Sequence, residues 1–176
     1  MLRQGAVKLM KRVNLLIGNS DRRINNIIEA AVRDVCYNLA LVECFRTSRI
    51  DQFLRLASHP GFDLVFIAPN ALIPEPSRKI ASLSTQEVLN VIQKIKNQRI
   101  VPVFAVAVPP GLQAAVLEAG ADKAFGLAWD GDSLKSEVCQ VLRLPDHVRT
   151  EHCESNRWSL LSTLMRGFQF ASKSKG

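Results

Sequence analysis

Ile100-Val-Pro-Val-Phe-Ala-Val-Ala-Val108 runs into Pro109-Pro-Gly111, then Leu112-Gln-Ala-Ala-Val-Leu-Glu-Ala-Gly120, then Ala121-Asp-Lys-Ala-Phe-Gly-Leu127. The first run is almost continuously apolar, as a strand covered on both faces must be. Pro109-Pro-Gly111 turns the chain, and the next segment has helical composition through Ala119. Gly120 stands where a left-handed C-terminal cap is expected. Lys123 to Leu127 then reads as a second short strand. Two strands joined by a helix make a parallel βαβ crossover.

Working outward, the same unit recurs. Val13-Asn-Leu-Leu-Ile17 is a strand ending at Gly18, and Ser20 or Asp21 can cap the helix after it. Ile24, Ile27, Ile28, Ala31 and Val35 recur there at helical spacing. Leu39 to Phe45 is a strand. Ser48 opens a helix with Ile50, Phe53, Leu54 and Ala57 inward, which His59-Pro60-Gly61 stops. Asp63 to Ile67 is a third strand, followed by a Pro-rich connection, residues 69–83. Ser84-Thr-Gln-Glu87 has capping-box spacing and opens a helix with Val88, Val91, Ile92 and Ile95 on one face. After Leu127, Asp130 or Asp132 caps a helix carrying Leu134, Val138, Val141 and Leu142. Five βα units predict an α/β domain: a flavodoxin-like, doubly wound, five-stranded parallel sheet in the order 2-1-3-4-5.

The expected organisation is a basic N-terminal tail (1–11), one folded domain (12–144), and a linker with an amphipathic C-terminal helix (145–176). In that last helix Trp158, Leu161, Met165 and Phe168 would line one side. It could cover its apolar side on its own domain, on a partner protein or on an anionic membrane; Trp158, Leu161, Met165 and Phe168 are the candidate partner-binding residues.

The 176 residues carry a formal charge of +7. Residues 13–148 hold 14 basic and 14 acidic side chains, which cancel, so the excess lies at the two ends. A basic stripe on the folded body, the usual mark of nucleic-acid binding, is therefore not expected. No run of 18 apolar residues exists, and no apolar signal-peptide region follows the basic start. Cys36, Cys44, Cys139 and Cys153 fit neither a redox pair nor a zinc set, and read as small buried hydrophobes in a reducing compartment. His59, His147 and His152 are scattered. No metal or cofactor is expected, and a cytoplasmic location is.

With these elements in order, residues 12–143 resemble the receiver domain of bacterial response regulators. Glu118-Ala-Gly-Ala-Asp122 looks like the receiver entry to strand five. Asp63-Leu-Val-Phe-Ile67 resembles the third receiver strand, and Pro102-Val-Phe-Ala-Val106 the fourth. A phosphorylatable receiver needs an acidic pair after strand one for Mg²⁺ and an aspartate nucleophile after strand three. It also needs Thr or Ser after strand four and Lys after strand five, because acyl-phosphate chemistry needs a carboxylate and offsetting cations. Here those positions hold Gly18 and Asn19, Ala68, Ala107 and Leu127. The resemblance thus implies a degenerate phosphorylation pocket with a packed rim, and the 69–83 connection is expected to lie over it.

The function expected is a non-enzymatic pseudo-receiver that acts by binding a protein partner. By analogy with receivers, helix four, strand five and helix five would form the partner or self-association face, with a homodimer as one outcome. The alternative is a small-ligand-binding flavodoxin-like protein, although Gly18-Asn-Ser-Asp21 is no Gly-rich phosphate loop. Nucleic-acid binding through the basic ends ranks third, and membrane binding ranks last among the surfaces for the tail helix.

Overall fold

The structure, a computed structural model, describes residues 11–69, 72, 85–129 and 131–143. The N-terminal tail before Lys11, most of the 69–83 connection with its expected position over the pocket, the caps expected at Ser84 and Asp130, and the expected C-terminal helix with Trp158, Leu161, Met165 and Phe168 lie outside the described residues.

The chain alternates strictly: β1 (Lys11–Gly18), α1 (Arg22–Val35), β2 (Ala40–Thr47), α2 (Ile50–Ala57), β3 (Leu64–Ile67), α3 (Thr85–Gln98), β4 (Val103–Val108), α4 (Gln113–Glu118), β5 (Lys123–Gly126) and α5 (Gly131–Val141). The strands form one parallel sheet in the order β2-β1-β3-β4-β5, as the alternation of elements predicts. Both faces are covered. Val13, Leu15, Ile17, Leu64, Phe66, Phe104 and Val106 pack with α1 and α5. Leu16, Val65, Ile67, Val103 and Ala105 pack with α2, α3 and α4 on the other side. Side-chain alternation along each strand therefore feeds two separate cores, and β3 is buried at every residue.

Strand starts are fixed by aspartates. Asp63 precedes β3; its N–H donates to the Asn14 carbonyl (2.9 Å), and its carboxylate accepts the Asn14 N–H (2.8 Å). Asp122 precedes β5 and repeats the device on β4. Its N–H donates to the Val103 carbonyl (2.8 Å) and its carboxylate accepts the Val103 N–H (2.7 Å). Lys96 Nζ closes the second latch, 2.9 Å from Asp122 Oδ2. Each latch sets the register of a parallel pair at its first residue.

Some boundaries differ from the sequence reading. β4 starts at Val103, not Ile100, and Ile100 is fully exposed. Pro102 has no N–H, so it can only accept, and its carbonyl takes the Val65 N–H. β5 ends at Gly126, α2 begins at Ile50 rather than Ser48, and β2 continues to Thr47. Asp21 is the α1 cap, accepting the Arg23 N–H. Gly120 has the expected left-handed backbone, φ 104°. Ile27, read as part of the α1 core stripe, is 47% exposed, because Ile24, Ile28, Ala31 and Val35 already fill the inward arc.

Candidate functional site

In a sheet of this order the strands deliver their carboxyl ends to one rim, and ligands usually bind there, at the switch between β1 and β3. Gly18 ends β1. A Cβ on Gly18 would lie 2.5 Å from the Phe53 ring, so α2 can seat that buried ring only against glycine. Ala68 follows β3, is buried, and donates its N–H to the Gly18 carbonyl (3.0 Å). That bond continues the β1–β3 ladder by one residue.

Asn19 is buried, and its side chain is spent locally. Oδ1 accepts the Asp21 N–H (3.0 Å) and Nδ2 donates to the Asp21 carbonyl (3.3 Å). Its own carbonyl accepts Asn25 Nδ2 (3.2 Å), and its N–H donates to the Thr47 carbonyl (2.9 Å). Asn25 Oδ1 is buried with no hydrogen-bond partner among the described residues. Thr47 Oγ1 meets Gln52 Oε1 at 2.8 Å and accepts the Arg49 N–H at 3.2 Å. Beside it the Arg49 guanidinium grips Asp51 with two hydrogen bonds, which hold that carboxyl below its usual range.

Ala107 has φ 53°, a left-handed conformation that costs an alanine about 1–2 kcal/mol. It belongs to a bulge: β4 advances from Ala105 to Val108 while β5 advances only from Ala124 to Gly126. Leu127 departs from the packed rim expected of it. It is 65% exposed and borders an open groove of about 520 Å³ lined by Gln113, Gly126 and Trp129, between α4 and α5. An aromatic row runs from the core to this groove: Phe66 to Phe104 (5.6 Å), Phe104 to Phe125 (5.8 Å) and Phe125 to Trp129 (6.2 Å between ring centroids).

The structure thus gathers Gly18, Asn19 and Ala68 at the switch point. Ala107 sits on the next strand, and Leu127 faces outward. Thr47, Asn25 and Phe53 were missing from the sequence reading of the rim. Thr47 could have been found as the polar residue that ends an apolar strand; Asn25 and Phe53 give no such signal. Gly18 and Ala68 offer no side-chain oxygen, and the oxygen of Asn19 is already engaged. This donor set does not fit a hard divalent cation, which needs carboxylates. Among the described residues, no three His, Cys, Asp or Glu side chains come together as a metal-ligand group, and no helix is long and apolar enough to cross a membrane.

No protein-family model matches the chain, and no curated protein matches it. Solved structures do. One is the receiver domain of a sensor histidine kinase from Pseudomonas aeruginosa, solved with a magnesium ion in its active-site cleft; it is 17% identical, with a TM-score of 0.53, over 73% of this chain and 95% of that one. A two-component response regulator from Clostridium difficile is 13% identical, with a TM-score of 0.56, over 75% and 97%. A response-regulator receiver domain from Francisella is 15% identical, with a TM-score of 0.55, over 74% and 97%. At these identities the likeness establishes the receiver-type fold.

Proposed function

We propose that this chain is a phosphorylation-independent pseudo-receiver, a non-enzymatic module of signalling or regulation that works by binding protein. The observation that carries the reading is Ala68, a buried methyl group where the fold would present its nucleophilic carboxylate, with its N–H spent on Gly18. Acyl-phosphate formation needs a carboxylate at that point and a metal beside it. Gly18 and an Asn19 held by Asp21 support neither. The test is incubation with acetyl phosphate and Mg²⁺, followed by intact mass. The expected result is an unchanged mass; an acid-labile adduct of one phosphate would overturn the proposal.

The contact surface we assign is the α4–β5–α5 face. Leu127 is exposed there and lines the groove that holds Trp129, and Leu117 of α4 is exposed as well. A protruding leucine next to a groove on one face suits self-complementary pairing of two copies. Sedimentation of the parent and of Leu127→Glu decides it: a dimer that Leu127→Glu dissociates is expected, and a monomer in both cases removes the homodimer. A small-ligand reading rests on the same groove. It lies on an edge strand, however, away from the β1–β3 switch point that ligands use in this topology. Native mass spectrometry that finds a bound small molecule would favour that reading instead.

A further inference from the structure

On the sheet side away from α2, α3 and α4, helices α1 and α5 pack side by side and leave an open groove of about 580 Å³ along their outer surface. Its α1 wall has a helical stripe of Ile27, Ala30 and Asp34, continued by Tyr37 in the turn just past the helix. Tyr37 is 73% exposed and Ile27 47%, so two large apolar side chains face out at the ends of a stripe. Across the groove Gly131 opens onto free space, where even a Cβ would touch nothing. The rim charges are matched rather than single-signed. Arg33 pairs with Glu29 (2.8 Å), and Lys135 with Asp34 (2.5 Å), so a basic segment meets no field of like charge.

We propose that the chain's own C-terminal segment, Trp158 to Phe168, fills this groove as a helix. Its apolar positions, Trp158, Leu161, Met165 and Phe168, follow spacings of three, four and three residues. From Trp158 to Phe168 is a rise of about 15 Å as a helix, close to the reach of a wall that runs from Ile27 along α1 and on to Tyr37 in the turn after it. The lengths of chain fit. The last described residue, Arg143, directly follows α5, which is itself a wall of the groove. Residues 144–157 span up to about 45 Å when extended, against the roughly 15 Å length of α5 that they must fold back along. The groove beside Trp129 suits this segment less well. Its α4 wall is only Gln113–Glu118, about 9 Å long, too short to flank a stripe of 15 Å. A tethered helix is also at high effective concentration, which favours its own domain over a second copy. The segment would seal α1 and α5 while leaving the α4–β5–α5 face open.

The test uses the full chain. With Trp129→Phe in place, Trp158 is the remaining tryptophan. Its emission is expected to be blue-shifted, and trypsin should cut slowly after Arg157 and Arg166. Ala30 is exposed in the described fold, so Ala30→Arg harms nothing unless the groove is occupied. Ala30→Arg is expected to red-shift Trp158 and speed those cuts about tenfold, as local protection is lost. If Ala30→Arg fails to fold, Met165→Arg, made on the other side of the contact, gives the same readout. Solvent-like emission in the parent, or no response to either substitution, overturns the proposal. A blue shift that disappears on dilution assigns the segment to a second copy and also overturns it.

Discussion

The two rims of this sheet differ in what their polar groups do. At the amino rim, Asp63 and Asp122 each grip a neighbouring strand with one N–H and one carboxylate, and Lys96 backs the second grip. At the carboxyl rim, Gly18, Ala68 and Ala107 bring no functional side chain, and Asn19 serves its own turn. Parallel α/β sheets usually keep their chemistry at the carboxyl rim and their anchoring elsewhere. Here the anchoring aspartates sit at the amino rim, while the described carboxyl rim presents small side chains and an amide already engaged in its own turn.

The largest expected effect comes from putting a charge back. Ala68→Asp would bury an unpaired carboxylate, because Asn19 and Gly18 supply no cation. The expected loss is about 3 kcal/mol, read from the urea midpoint at neutral pH. Its stability should recover in part as pH falls and the buried group is protonated. A variant as stable as the parent would show an open polar rim and erase the contrast.

Next come the latches. Asp122→Ala strands the Val103 N–H and leaves Lys96 without its carboxylate, for a loss of about 2 kcal/mol in the same measurement. Asp63→Ala removes one acceptor and no ion pair, for about 1 kcal/mol. Equal losses would mean that Lys96 contributes nothing.

Ala107→Gly tests the opposite sign. Glycine adopts φ 53° freely, so relief of strain should exceed the added entropy of the unfolded chain, with a net gain of up to about 1 kcal/mol in thermal or urea unfolding. A loss would show that the bulge is unstrained.

The last effect appears only at alkaline pH, outside the range where the molecule ordinarily works, and concerns Cys36, which follows α1. Burial, and then the nearby Cys139, push its thiol up to about 11 from an ordinary 9.0. The raised folded value means that the unfolded chain gives up this proton first. Stability is therefore undiminished below pH 9 and declines as pH rises from about 9 to 11. Cys36→Ala should flatten that decline, seen in urea midpoints across the window.

Much of this was legible in the sequence. Leu64 to Ile67 and Val103 to Val108 announce themselves as strands because a doubly covered strand has no polar face to confuse the reading. Asp122 was visible as part of a receiver-like turn, but its grip on Val103 and Lys96 was not, since both partners are distant in sequence. At the carboxyl rim the sequence named the residues and the structure placed them, Gly18, Asn19 and Ala68 at the switch point and Ala107 on β4. What fills the space instead is tertiary. No pattern shows that Phe53 leans on Gly18, or that Asn25 is buried in the first turns of α1. Ile27 and Ile100 misled because apolarity signals burial only where the geometry leaves an inward arc free.

The left-handed Ala107 also bears on ancestry. If this chain descends from a phosphorylated receiver, a return would meet backbone as well as chemistry. The hydroxyl that a receiver carries there belongs to Thr or Ser, and a β-branched Thr is strongly disfavoured at φ 53°. At position 107 a serine, which has no β-branch, would be the easier hydroxyl to admit, whereas a threonine would need the β4 bulge undone.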